Sequence, residues 1–164
     1  MKIFDCFMFF DEDQVLDLRF NVLNEYVDYF VIVESIYNHK GEKRNLLFNK
    51  NKYKDFSNKI IYLIYDKIPN SVKEVEKKDN KLTQDYKYIM NALYRENSQR
   101  NFILEGLKDA DQNDIILISD VDEIPKLNIN TLKNIKNEIL VFKQDMFYYK
   151  FNLSLPNFKW PGTK

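Results

Sequence analysis

Three carboxylates fall within four positions in Ile118-Ser119-Asp120-Val121-Asp122-Glu123-Ile124-Pro125, directly after the branched apolar run Ile115-Ile116-Leu117-Ile118. On an extended segment residues i and i+2 share a face, so Asp120 and Asp122 converge while Val121 turns into the protein. Two carboxylates held that close repel each other unless a cation lies between them. Mg²⁺ or Mn²⁺ suits such a pair, because these hard ions take one or two protein carboxylates and fill their shell with water and phosphate oxygens. The competing reading is that the two aspartates cap the turn and helix that follow. Their place at the end of a buried-type strand favours the ligand reading, since open α/β sheets bind ligands beyond the carboxyl ends of their strands. Three roles are open to Glu123: ligand, support for a ligand, or surface charge.

A second group of residues lies on the helix predicted from Thr83 to Lys108. At roughly 100° per residue, Ile89, Leu93, Glu96, Arg100, Ile103 and Leu107 fall within about 40° of one line. Two charges therefore interrupt an apolar stripe. Arginine is scarce, four against 21 lysines, and two of the four lie in Arg95-Glu96-Asn97-Ser98-Gln99-Arg100-Asn101. A guanidinium fork suits phosphate, so Arg100, oriented by Glu96, is expected to meet an anionic ligand near the strand ends. Arg19 falls at the centre of its own helix's apolar face, where a buried structural ion pair with Glu12 or Glu34 is expected. His39, the sole histidine, sits in the polar segment Asn38-His39-Lys40-Gly41 and reads as a surface or loop residue. Cys6, the sole cysteine, reads as an inert core thiol. Neither a disulfide framework nor a cysteine metal cluster is possible, and Gly41, Gly106 and Gly162 lie too far apart for a glycine-rich phosphate loop.

The elements that must position these groups alternate. Residues 3 to 10 and 29 to 33 are apolar almost throughout, as in strands covered on both faces, and residues 60 to 65 form a third such run. Between them, Val15, Leu16, Phe20, Val22, Leu23 and Tyr26 recur at helical spacing after the capping carboxylates of Asp11-Glu12-Asp13. Residues 37 to 55 are polar and irregular, and residues 69 to 81 form a solvated loop. After the strand at 115 to 118 come a short helix beyond Pro125 and a strand at 139 to 142. The aromatic residues between Phe147 and Trp160 read as core or dimer interface, with no closing element. This order predicts an α/β sandwich with a mostly parallel sheet and helices on both faces. The strand-end polar residues Asp11, Glu12, Glu34, Ser35, Asp66, Ser119, Asp120, Asp122 and Glu123 are then the ones to inspect.

Composition narrows the classes. With 164 residues, 45% hydrophobic and 15% aromatic, one packed domain is expected. Lys plus Arg and Asp plus Glu both number 25, so no global field draws the chain to nucleic acid or an anionic membrane. No apolar run is long enough to span a bilayer and no signal peptide opens the chain, which predicts a soluble, cytoplasmic protein. The Lys, Asn, Ile and Tyr bias suits an AT-rich microbial or viral genome.

Several stretches together resemble glycosyltransferase family 17. They are Phe9-Phe10-Asp11-Glu12 with Leu18-Arg19, Phe30-Val31-Ile32-Val33-Glu34-Ser35, Arg95-Glu96 with Gln99-Arg100-Asn101, Ile118 to Pro125, and Trp160-Pro161-Gly162-Thr163. The resemblance covers nearly the whole chain and implies a GT-A-type, Rossmann-like fold, a UDP-sugar donor such as UDP-N-acetylglucosamine, a glycan acceptor, Mn²⁺ or Mg²⁺, and inversion at the anomeric carbon. It implies metal binding by Asp122, metal or ribose binding by Asp120, and a nucleotide-sugar site of Glu12, Glu34, Arg95, Arg100, Asn101, Asp120 and Glu123. Asp11 departs from the family, standing where an asparagine is expected. Family members also continue beyond the Trp-x-Gly-Thr segment, so part of the acceptor side is expected to be missing from this domain. No catalytic base is assigned by the resemblance; Asp145, acidic and near the aromatic segment, is the candidate within these residues.

Three other readings compete. A haloacid-dehalogenase-type phosphatase carries its Asp-x-Asp after the first strand and wants Thr or Val where Ile124 stands. A nucleotidyltransferase usually has a glycine-rich loop near its N-terminus. A non-catalytic donor- or glycan-binding module shares all the features above except turnover.

Overall fold

The computed structural model describes residues 1–134, 139–148 and 152–163. Strands β1 (Ile3–Phe9), β2 (Tyr29–Ser35), β3 (Ile60–Tyr65) and β4 (Ile115–Asp120) form one parallel sheet in the order β3-β2-β1-β4. Helix α1 (Asp13–Leu23) connects β1 to β2, and helix α2 (Lys81–Asn101) precedes β4. The predicted α/β architecture is therefore the observed one, with carboxyl ends of all four strands at one edge.

Period-2 alternation sorts the core into two layers. Ile3, Phe7, Phe9, Phe30 and Ile32 pack on one face with Leu16, Phe20 and Leu23 of α1. Phe4, Cys6, Val31 and Val33 pack on the other with Ile103. A strand apolar at every position is the signature of this double burial. Burial, and secondarily the charge of Asp5, push the Cys6 thiol far above its ordinary pKa, so it is inert as expected.

Four expectations need correction. The long helix is α-helical only to Asn101, and then tightens into a 3-10 turn at Phe102–Gly106. Its apolar stripe does not lie on the sheet throughout: Ile103 is buried, but Ile89 and Leu93 are 68% and 42% exposed. Length explains this. Twenty-one helical residues run about 31 Å, whereas the six-residue strands β3 and β4 run about 20 Å, so the first half of α2 outreaches the sheet. Strand β4 is an edge strand, with Ile118 at 36% exposure, rather than a strand covered on all sides.

The fourth correction concerns the C-terminal part. Residues 139 to 142 lie outside any strand. The strand falls later, at β5 (Lys143–Phe147), and pairs antiparallel with β6 (Ser154–Pro161), so the aromatic segment does contain a closing ribbon. Alternation identifies β5, since Gln144 and Met146 are half-buried between exposed neighbours, whereas Ile139, Leu140 and Val141 are exposed. The helix after Pro125 is present as α3 (Ile129–Lys133); residues 135–138, and Tyr149, Lys150 and Phe151 of the aromatic segment, lie outside the described residues. Among the described residues no helix is long and apolar enough to cross a membrane.

One glycine fixes how closely the second layer approaches. A Cβ on Gly106 would lie 2.4 Å from Val31 Cγ1 and 3.3 Å from Leu63 Cδ1. Gly106→Ala is therefore expected to force the 3-10 turn off the sheet and to cost about 1–3 kcal/mol by overpacking. Urea denaturation of the variant measures it.

Candidate active site

The carboxylate turn is built on a buried arginine. Arg19 of α1 is fully buried, and its Nε and Nη2 donate to the two carboxylate oxygens of Asp5 at 2.7 Å each. Nη2 also donates to Ser119 Oγ at 2.5 Å. Nη1 donates to the carbonyls of Asp120, Val121 and Glu123 at 2.9, 3.0 and 3.3 Å. The Phe7 ring lies under the guanidinium, 4.6 Å from its carbon. The predicted buried ion pair exists, but its partner is Asp5, not Glu12 or Glu34. Asp5 sits on the α1 face of β1 among Ile3, Phe7 and Phe9, and its place within an apolar run was the signal that could have found it.

With three carbonyls of the turn drawn inward, the side chains between them are constrained. Val121 is buried, as expected, while Asp120 and Asp122 face a cleft of about 430 Å³ at the strand ends. Phe10, Glu12, His39 and Glu96 also line it. Glu12 occupies the N-cap position of α1 without capping it; its Oε2 instead accepts from the backbone N–H groups of Phe10 and Asp11 at 3.0 and 3.1 Å. The carboxylate is thus held in the cleft lining.

Arg100 reaches the turn from α2. Its Nη2 donates to Asp120 Oδ1 at 2.9 Å and to Glu96 Oε1 at 3.2 Å, joining the two residue groups singled out in the sequence. Burial works against the charge on Arg100, and its bonds to Asp120 and then Glu96 outweigh that cost, raising its pKa above the ordinary arginine value. Both partners are part-exposed, so the bridge itself adds little stability. Its consequence is geometric, because it sets where Asp120 points. Asp122 makes no side-chain hydrogen bond or ion pair among the described residues and is free to take a ligand.

Other expected site residues are placed differently. Glu34 is fully buried beneath the cleft. Its Oε1 accepts from Arg44 and the Leu47 N–H at 3.1 and 2.7 Å, and its Oε2 from the Phe48 N–H and Tyr62 Oη at 3.1 and 2.7 Å. It supports the site by fastening the loop after β2. Arg44, which the sequence reading passed over, also donates to the carbonyls of Phe10 and Ser35 and lies over the Phe10 ring, tying two strand-end loops together. Arg95 lies on the far side of the His39–Gly41 loop and Asn101 is exposed at the end of α2; neither lines the cleft. Asp145 is exposed on the ribbon, ion-paired with Lys159, and also stands apart from the cleft lining. His39, read as a loop residue, is in a loop and lines the cleft as well.

Glu123 connects the turn to the ribbon. Its Oε2 accepts from the Asp120 N–H at 3.1 Å, its Oε1 from Trp160 Nε1, and its carbonyl from Thr163 Oγ1 at 2.8 Å. It therefore braces the turn, the supporting role among the three left open.

Charge decides what this cleft accepts. Four carboxylates, those of Glu12, Glu96, Asp120 and Asp122, line it, and Arg100 bridges two of them. The lining therefore carries an excess of negative charge, which a cation between the carboxylates would offset. Among the described residues no three metal-binding side chains cluster tightly enough to hold an ion alone. Asp120 and Asp122 fit an ion that completes its shell from water and substrate, as Mg²⁺ and Mn²⁺ do.

A parallel sheet in the order β3-β2-β1-β4, with helices packed on it and a cleft at its strand ends, is a Rossmann-like α/β architecture. The chain is a member of glycosyltransferase family 17, whose family model matches residues 1–163. It is similar to the beta-1,4-mannosyl-glycoprotein 4-beta-N-acetylglucosaminyltransferases of Homo sapiens and Rattus norvegicus, both 27% identical over 163 residues, and of Mus musculus, 26% identical. Each alignment covers 93% of this chain, but only 27%, 26% and 26% of the respective relatives, so the chain spans about a quarter of their length. No solved structure gives a significant match.

The Arg19 cluster makes a direct prediction. Arg19→Met removes the guanidinium and leaves the buried Asp5 without its partner, and should cost about 3–5 kcal/mol, as breaking a buried pair does. Denaturant unfolding reads the loss; a cost below about 1 kcal/mol, the level of a surface pair, would mean the cluster does not hold the turn.

Proposed function

We propose that this chain carries the donor-binding region of a metal-dependent glycosyltransferase, which moves N-acetylglucosamine from UDP-N-acetylglucosamine to a glycan acceptor with inversion. The observation that carries this reading is the convergence of Asp120 and Asp122 in an acidic cleft at the strand ends, with Arg100 bonded to Asp120 at its margin. Family membership and the names of the mammalian relatives support the sugar and the acceptor class.

In this reading Asp122 and Asp120 hold Mn²⁺ or Mg²⁺. The ion would supply a Lewis acid for the donor's diphosphate, lowering the cost of its departure. Arg100 keeps Asp120 turned into the cleft and adds positive charge where leaving-group charge develops. Glu12, fixed by two backbone N–H groups, is a fixed acceptor for donor hydroxyl or base N–H groups at the opposite wall. Arg19, Glu34 and Glu123 act through the backbone, holding the loops that present these groups. Inverting transfer also needs a carboxylate to deprotonate the acceptor hydroxyl. Asp145 is the candidate in this chain, and would have to leave its Lys159 partner to serve.

A screen of UDP-sugars for transfer and donor hydrolysis, with and without Mn²⁺, tests the proposal. UDP-N-acetylglucosamine turnover that needs the metal is expected, and Asp122→Ala should lower it by on the order of a hundredfold. Arg100→Ala should lower it by about tenfold. Turnover that ignores both the metal and Asp122→Ala would overturn the reading.

A further inference from the structure

A second cavity, of about 440 Å³, opens on the other side of the His39–Gly41 loop, between α2 and the loop after β3. It shares only His39 with the acidic cleft, and its charge is opposite. Lys40, Lys73 and Arg95 line it against one carboxylate, Glu74. The walls between them are apolar, formed by Val72, Val75, Ala92 and the Tyr88 ring.

Two features mark the cavity as built. Asn91 of α2 is buried, and its amide exchanges both hydrogen bonds with the Lys73 backbone, at 2.8 and 2.7 Å. This pins the loop after β3 to the helix and fixes the cavity's outer wall. Arg95 is held from the other side: Nη1 donates to the His39 carbonyl at 3.0 Å, and Gly41, at φ 87°, leaves the space that the guanidinium fills. A Cβ on Gly41 would lie 2.5 Å from Arg95 Nη2. Yet Arg95 Nε is buried with no hydrogen-bond partner. A buried N–H without an acceptor is costly, and such groups in native proteins call for an explanation.

We propose that this cavity is a second ligand site, for a small organic phosphate whose oxyanion is taken by Arg95, Lys40 and Lys73 and whose apolar body lies against Tyr88, Val72 and Val75. Charge-assisted bonds to the guanidinium and ammonium groups that line the cavity favour an oxyanion over a neutral ligand. The site is independent of the carboxylate turn. It needs no divalent ion, because its own lining is cationic.

Phenyl phosphate is the probe, titrated into the ¹⁵N-labelled chain and followed by NMR. Saturable shifts are expected at the Val72, Val75 and Ala92 amides and at the Arg95 side chain, unchanged by the Asp122→Ala substitution. Inorganic phosphate, lacking the apolar body, should bind about tenfold more weakly. Arg95→Gln should weaken phenyl phosphate by at least about tenfold. Lys73→Glu, a change on an exposed side chain that leaves the Asn91 backbone bonds in place, should do the same and serves if Arg95→Gln fails to fold. The proposal is overturned by absence of saturable shifts, by shifts centred on Asp120 and Asp122, by loss of binding in Asp122→Ala, by equal affinity for inorganic phosphate, or by unchanged affinity in the folded Arg95→Gln or Lys73→Glu variant. Each of these outcomes leaves the transferase reading standing.

Discussion

A buried guanidinium fixes the working end of this molecule. Arg19 spends its donors on Asp5, Ser119 and three carbonyls of the Asp120–Glu123 turn, so one cation binds β1, α1, the last residues of β4 and the turn together. Burying a charge is expensive, and this one is tolerable only because its acceptors are all in place. The reverse also holds. Carbonyls turned inward onto Arg19 leave the turn's two aspartates to face the cleft, where their mutual repulsion has no neutralising core group to relieve it. Arg100 relieves part of it, and a divalent ion would relieve the rest.

Around this point the site is a set of loops, each tied by one charged side chain reaching a backbone. Glu34 holds the chain at Leu47 and Phe48, Arg44 spans the loops after β1 and β2, and Glu123 ties the turn to Trp160 and Thr163. A carboxylate with both oxygens bonded, as in Glu34 and Glu123, has lost its freedom to act as a ligand. That separates the supporting residues Glu34 and Glu123 from Asp122, whose carboxylate has no partner among the described residues. Burial and hydrogen-bond occupancy thus divide residues that a motif alone treats alike.

Much of this was legible in the sequence because it follows from short-range geometry. Alternating apolar runs gave the four parallel strands, and the i, i+2 rule put Val121 inside and the two aspartates out. The helical period brought Glu96 and Arg100 to one line, and α2, packed over β2 and β1, carries Arg100 to Asp120 at the end of β4. What depends on long-range length and register was less legible. The stripe at Ile89 and Leu93 is helical in spacing, but nothing local says that the sheet ends before the helix does. Arg19 had the right position and the wrong partner, since an aspartate inside an apolar strand announces burial without saying what it meets. The β5–β6 ribbon was displaced because the exposed run Ile139–Val141 imitates a core strand more closely than Lys143-Gln144-Asp145 does.

The central claim is that the Asp120–Asp122 cleft receives a diphosphate only together with a divalent ion. Calorimetric titration of UDP into the chain, in Mn²⁺ and again in EDTA, tests it most directly. Binding in Mn²⁺ should be at least about tenfold tighter, the effect of bridging two carboxylates and a diphosphate through one hard cation. Equal affinity in the two buffers would contradict the account.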